Sequence, residues 1–175
     1  IGYESTGTVE FLLDHDSKEF FFLEVNTRLQ VEHPVTEETT GIDLVRQQIL
    51  VAQGEKMECT QESISSSGHS IEARLYAEDP SNNFLPAIGT LSAFEVPDIP
   101  NIRWDVGVSK GTEVGVQFDP MLAKVTSKGS TRKEAALRLA KALEELHLGG
   151  ITTNREFLIS TLRHEAFLAG DTTTD

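Results

Sequence analysis

Phe20-Phe21-Phe22-Leu23-Glu24-Val25-Asn26-Thr27-Arg28-Leu29-Gln30-Val31-Glu32-His33-Pro34 is the stretch that sets the fold, and it alternates. Glu24, Asn26, Arg28, Gln30 and Glu32 occupy even positions; Phe21, Leu23, Val25, Leu29 and Val31 occupy odd ones. A period of two in extended backbone sends the sets to opposite faces, so the odd face is expected to be buried. The even face carries two carboxylates, two amides and a guanidinium, with no Lys, Ser or Thr among them. Such a row can hold a metal ion and an oxyanion side by side. A half-buried edge strand with an ordinary polar face is the other reading of the same alternation.

Working outward, Thr6 to Asp14 reads as a strand, His15 to Lys18 as a turn, and Glu19 to Asn26 as a returning strand. If this hairpin is symmetric about Ser17, Glu10 faces Glu24. Directly opposed Cβ atoms lie about 5 Å apart, and like charges there destabilise the pair. A hard divalent ion resolves the conflict, ligated by Glu10, Glu24 and the Asn26 carbonyl, with waters and phosphates completing Mg²⁺. The argument depends on register, which a one-residue slip would abolish.

Downstream, a helix is expected from Asp43, its N-cap, to about Ala52, with Gly54 as its stop and Leu44, Val45, Ile49 and Ala52 as a packing stripe. Glu55 to Gly68, with Ser63-Ile64-Ser65-Ser66-Ser67-Gly68, is a polar junction. It divides the chain into residues 1–66 and 67–175. The second part opens with a strand, His69 to Ala77, that places Glu72 and Arg74 on one face. Short strands follow over Gly89 to Val96, Ile102 to Val106 and Thr112 to Gln117, with one more after Phe118-Asp119-Pro120. Thr131 caps a helix reaching Leu146, with Glu134 as its capping-box partner and Ala136, Leu139, Ala140, Leu143 and Leu146 as its core stripe. Gly149-Gly150 ends it, a second helix covers about Thr153 to Leu162, and a short one includes Glu165 to Leu168. The expected class is α+β: mostly antiparallel strands with helices on one side.

The chain has 175 residues, a formal net charge of −13 and one cysteine, Cys59. The acidity argues against a nucleic-acid partner. A lone cysteine allows no internal disulfide and fits a reducing compartment, the cytoplasm or the mitochondrial matrix. No apolar run approaches the length of a membrane span. The opening Ile1-Gly2-Tyr3 and the closing Asp171-Thr172-Thr173-Thr174-Asp175 read as cuts in a longer polypeptide. His147, His164 and Cys59 are scattered, with no metal-ligand spacing.

The block Glu24-Val-Asn26-Thr-Arg28-Leu-Gln30-Val-Glu32-His33-Pro34-Val-Thr36-Glu37 resembles the signature of biotin carboxylases, the ATP-grasp subunit or domain of biotin-dependent acyl-CoA carboxylases. Three further blocks fit the same family in order: Ile71-Glu72-Ala73-Arg74-Leu75-Tyr76-Ala77-Glu78-Asp79-Pro80, Phe118-Asp119-Pro120-Met121-Leu122-Ala123-Lys124, and Gly150-Ile151-Thr152-Thr153-Asn154. The resemblance implies the C-terminal part of an ATP-grasp domain over 1–66, followed by a biotin carboxylase C-terminal domain over 67–175. It implies ATP, Mg²⁺ or Mn²⁺ and carrier-bound biotin as cofactors.

By that resemblance Glu10, Glu24 and Asn26 bind the metals that chelate ATP, and Leu12 lies in the adenine pocket. Arg28, Gln30 and the Val31 N–H hold bicarbonate; a planar guanidinium grips such an anion through two parallel hydrogen bonds, which Lys does not. Glu32 matches the base that deprotonates bicarbonate, and its alternative is an ion pair with a neighbouring Arg. His33 reads as a packing or hydrogen-bonding residue. Arg74 matches the cation opposite the enolate-like ureido oxygen of biotin. Its alternative is an ion pair with Glu72 or Asp119, and Lys124 reads as a structural partner.

The implied partners are a biotin carboxyl carrier protein, a carboxyltransferase subunit and further copies of the chain. The family's nucleotide-binding lysines and glycine-rich loop have no match here, so the 175 residues alone are expected to be inactive. Two rival readings stand beside this one. A different ATP-grasp carboxylate–amine ligase is one. A non-catalytic binding or dimerisation module around Ile102-Arg103-Trp104 is the other.

Overall fold

The computed structural model describes residues 2–173; Ile1, Thr174 and Asp175, and with them both expected cut ends, lie outside them. The chain separates into two compact units, Ile1–Ser66 and Ser67–Asp175.

The first unit contains β1 (Thr8–Leu13), β2 (Phe20–Asn26), α1 (His33–Thr40) and α2 (Leu44–Ala52). Its strands form one antiparallel hairpin. Asp14 nucleates the connection: its carboxylate accepts from the Ser17 N–H at 2.6 Å, and its own N–H donates to Glu19 at 2.9 Å. Asp43 caps α2, accepting from the Arg46 N–H at 2.8 Å, as an Asx cap should.

Three expectations for this unit are corrected. The alternation does not continue as strand to Glu32, because β2 ends at Asn26 and the chain turns. Pro34 then suits the first turn of α1, where its missing N–H costs nothing. The hydrophobic face of the hairpin is not buried within the chain: Phe21, Leu23 and Val25 are 49–55% exposed. The α2 stripe is likewise open, with Val45 and Ile49 exposed and Gln47 the buried residue.

The second unit holds β3 (His69–Tyr76), β4 (Glu78–Asp79), β5 (Leu85–Pro86), β6 (Gly89–Thr90), β7 (Ala93–Glu95), β8 (Ile102–Val106), β9 (Glu113–Val114), β10 (Met121–Gly129), α3 (Arg132–Glu145), β11 (His147–Gly149), α4 (Arg155–Arg163) and α5 (Glu165–Ala169). The main sheet has the order β3-β10-β8, and β4-β5, β6-β9 and β7-β11 are small antiparallel pairs. The class is α+β.

The core of this unit joins one face of the main sheet to two helices. Ile71, Ala73 and Val125 pack on Ala135, Ala136, Leu139, Ala140 and Leu143 of α3 and on Ile159 and Leu162 of α4. A second cluster gathers Leu75, Ala77, Leu91, Val114, Leu122, Ala123 and Leu146. Thr131 caps α3, accepting from the Glu134 N–H at 3.2 Å. Glu134 reaches past the cap to the Ser130 N–H, at 2.8 Å, so the box is offset by one residue. Gly150 has a φ of +97°, and a Cβ there would collide with the Thr90 carbonyl and the Ser92 amide. Only glycine lets the chain pass β6 this closely on its way to α4.

Candidate functional site

The hairpin register pairs Thr8 with Asn26, Val9 with Val25 and Glu10 with Glu24, so the two acids do face each other. Beyond Glu10 the register shifts: Phe11 pairs with Phe22 and Leu13 with Phe20, leaving Leu23 as the extra residue of a β-bulge. The bulge reverses the parity of β2. Phe20 and Phe22 join Phe11 on the side of Val9 and Val25, and the Phe11 ring lies 5.4 Å and 6.2 Å from theirs, edge-on. Phe21 and its partner Leu12 therefore share the face of Glu10 and Glu24. Pure alternation had set Phe21 on the opposite face from Glu24.

Five of the expected site residues form one hydrogen-bonded network. The Asn26 amide nitrogen donates to Glu10 Oε1 at 2.7 Å and to Glu24 Oε1 at 3.1 Å. Gln30 Nε2 donates to the same Glu10 oxygen at 3.2 Å. Arg28 completes a ring, Nη1 donating to Gln30 Oε1 at 2.8 Å and Nη2 to Asn26 Oδ1 at 3.4 Å. Two amide hydrogens between the acids offset the repulsion of opposed carboxylates. Oε2 of Glu10 and of Glu24 accepts no hydrogen bond among the described residues and remains available as a donor to a cation.

Val31 and Glu32 lie in the turn that enters α1. Glu32 is the N-cap of α1; its carbonyl accepts from the Val35 N–H at 3.1 Å, and its side chain does not cap the helix. A cleft of about 170 Å³ opens at this turn, lined by Thr6, Thr8, Leu29, Gln30, Glu32 and His33 among others. The cleft has room for a small anion. His33 is tied to the turn: its Nδ1 lies 2.7 Å from the Gln30 carbonyl and its Nε2 3.9 Å from Glu37. It acts there as a hydrogen-bonding residue.

Arg74 lies on β3 in the second unit, exposed and on the charged face of the main sheet. Its Nε is 3.9 Å from Glu72, whose side chain is 4% exposed. Lys124 pairs with it across β10 and reaches Asp105 on β8 at 3.4 Å. Asp105 also accepts from Arg103 at 2.9 Å. Burial pushes the Asp105 carboxyl up, but Arg103 and Lys124 together outweigh it and hold it below the usual range. Tyr76 lies two residues along β3, on the same face as Arg74. Burial first, then the Asp119 carboxylate, raises the Tyr76 phenol, while Arg74 works the other way. Tyr76 was not among the expected site residues; its spacing of two from Arg74 on a strand was the available signal.

Among the described residues no group of three or more His, Cys, Asp and Glu side chains could hold a metal ion, so the acids of the hairpin are a pair completed by an amide.

The family profile described as the biotin carboxylase C-terminal domain matches residues 72–175. The profile described as the ATP binding domain of the carbamoyl-phosphate synthase L chain matches residues 1–60. Biotin carboxylase 2 of Bacillus subtilis (strain 168) is 49% identical over 175 residues, covering 100% of this chain and 39% of its own length. The mitochondrial propionyl-CoA carboxylase alpha chain of Mus musculus is 46% identical over 176 residues, covering 99% of this chain and 24% of its own. Among solved structures, the biotin carboxylase domain dimer of Hydrogenobacter thermophilus 2-oxoglutarate carboxylase, in complex with MgADP, ADP and bicarbonate, superposes with a TM-score of 0.95. It is 41% identical, and the match covers 99% of this chain and 38% of that one. The chain thus spans about two-fifths of the bacterial relatives and a quarter of the mouse one. With one profile covering its second unit and a relative matched along its whole length, the chain belongs to the biotin carboxylase family.

Proposed function

We propose that the chain carries the metal- and bicarbonate-binding part of a biotin carboxylase site together with that enzyme's C-terminal domain. The full-length protein would carboxylate biotin on a carrier protein, using ATP and bicarbonate by way of carboxyphosphate, within an acetyl- or propionyl-CoA-type carboxylase. The observation that carries the reading is the ring of Asn26, Glu10, Gln30 and Arg28, with Glu24 hung from it, because it joins oxygen donors to a guanidinium in one network.

The donor set suits Mg²⁺ or Mn²⁺. Two carboxylates and one amide oxygen are hard ligands, and their small number leaves positions for water and phosphate oxygens. An ion bound there would offset the negative charge of the ATP phosphates. Glu10, Glu24 and the Asn26 amide oxygen are the residues that would hold it. Leu12, on the same face as Glu10 and opposite Phe21, gives the adenine an apolar wall. Arg28 retains Nε and one Nη2 hydrogen for an anion, beyond its contacts to Asn26, Leu29 and Gln30. With Gln30 and the Val31 N–H, it holds bicarbonate. Glu32, beside the cleft at the turn, takes its proton. Arg74 supplies fixed positive charge opposite the ureido oxygen of biotin as that oxygen gains negative charge.

The partners follow from the chemistry: a biotin carrier domain, a carboxyltransferase and further copies of the same chain. A net charge of −13 disfavours nucleic acid. No helix among the described residues is long and apolar enough to cross a membrane, and the mouse relative is named mitochondrial. We place the parent in the cytoplasm or the mitochondrial matrix, where Cys59 stays reduced.

Arg28→Ala and Arg74→Ala, made separately in the full-length protein, test this. Each is expected to lower carboxybiotin formation by about 10²- to 10³-fold, the loss typical of one charge-stabilising group. Near-wild-type rates in both would overturn the assignment.

A further inference from the structure

Asn154 stands at the N-cap of α4, a position where Asn is favoured because its side-chain oxygen accepts from the first turn of the helix. Here it makes no such bond. The side chain is turned to β3 instead and is 6% exposed. Its Oδ1 accepts from the Tyr76 N–H at 2.9 Å, and its Nδ2 donates to the Arg74 carbonyl at 3.1 Å. Its backbone N–H donates to the Tyr76 carbonyl at 3.1 Å. The amide orientation is fixed by its partners, since a carbonyl only accepts and an N–H only donates.

β3 is an edge strand of its sheet, with β10 on its other side. Asn154 supplies the hydrogen bonds that a neighbouring strand would make, at the two residues flanking Leu75, a residue with no exposed surface. Those two residues are Arg74 and Tyr76, whose side chains share one face of β3. One buried amide thus grips the backbone under an exposed guanidinium and under the phenol beside it.

We propose that Asn154 is the positioning residue for Arg74. The proposal rests on the assignment of Arg74 to the charge that develops on biotin. A fixed backbone holds the cation where that charge appears; a displacement of 1 Å in such a group can cost about 100-fold in rate.

Asn154→Asp tests it in the full-length protein. The substitution is isosteric, keeps the acceptor for Tyr76 and loses the donor to Arg74. It is expected to lower kcat for carboxylation of free biotin by about 10- to 100-fold. KM for MgATP is expected to move by less than about twofold, because the ground-state binding of the nucleotide is not involved. In an Arg74→Ala background the same change is expected to add no further loss, since it acts through the group already removed. A wild-type kcat in Asn154→Asp, or a loss that persists undiminished in the double variant, overturns the proposal. If Arg74→Ala alone runs at the wild-type rate, the assignment of Arg74 falls and the proposal falls with it. Thermal unfolding shows whether each variant folds; should Asn154→Asp not fold, Asn154→Ser, which keeps a short acceptor, carries the same comparison.

Discussion

The two units differ in where their apolar residues go. In Ser67–Asp175 the buried hydrophobic residues run from Ile71 to Leu162 and form two clusters around one sheet. In Ile1–Ser66 the buried residues are Pro34 and Gln47, while nine apolar positions from Val9 to Val25 are at least 49% exposed. Yet the first unit carries the denser chemistry, with acids, amides and a guanidinium in one network. The lesson is that precise polar geometry does not require a local core, but its persistence does. A two-stranded hairpin alone is marginal in water, so the first unit depends on surface supplied from outside it.

The largest expected effect is all-or-none. Residues 67–175 expressed alone are predicted to unfold cooperatively on heating, and residues 1–66 alone to show no cooperative transition. Calorimetry decides it, and a sharp transition in residues 1–66 would break the contrast between the units.

Single substitutions sharpen it further. Leu139, with no exposed surface, sits at the centre of the α3 stripe. Leu139→Ala is predicted to cost about 2–5 kcal/mol in a denaturant titration of residues 67–175. Phe21→Ala, at a position 53% exposed, is predicted to move the stability of the 175-residue chain by about 0.5 kcal/mol or less. Comparable costs at the two sites would mean that the hairpin has a core of its own.

The smallest effect is electrostatic and confined to acid. Asp105 is held below its usual value of 3.8 by Arg103 and Lys124 against the upward push of burial. A carboxyl lowered on folding stabilises fully above its unfolded value and loses that contribution as pH falls through the folded one. The melting temperature of the wild type should therefore exceed that of Asp105→Asn by a constant margin well above the usual value of 3.8, and the margin should shrink as the pH falls below that value. A margin that grows toward acid would contradict this sign.

Much of the fold was legible from spacing. The strand Ile102–Val106 and the apolar stripe of α3 follow from periodicity, and the cap at Thr131 from local chemistry. The facing of Glu10 and Glu24 followed from symmetry about a turn. What escaped was of three kinds. The bulge at Leu23 has no Gly or Pro to announce it, and it changes which aromatic rings share the carboxylate face. The helix at His33–Thr40 is rich in Thr, a weak helix former, and its one signal was Pro34 in the first turn. The Asn154 contacts span 78 and 80 residues, and pairings so distant leave no local trace. Periodicity also says that a face seeks cover without naming the cover, which is why the open stripe of α2 read as packed.

An amide has two unlike ends, and Asn26 uses both. Its nitrogen is spent on two acids and its oxygen on Arg28. Under the proposed assignment a cation between the acids would claim the oxygen, and the amide would have to swing through half a turn to present it. The nitrogen would then point at a guanidinium, which has only hydrogens to offer and nothing to accept with. Filling the metal site would then take from Arg28 its 3.4 Å contact to Asn26 and leave the 2.8 Å contact to Gln30, so the ion would slacken one of two side-chain tethers on the arm proposed to take hold of the anion.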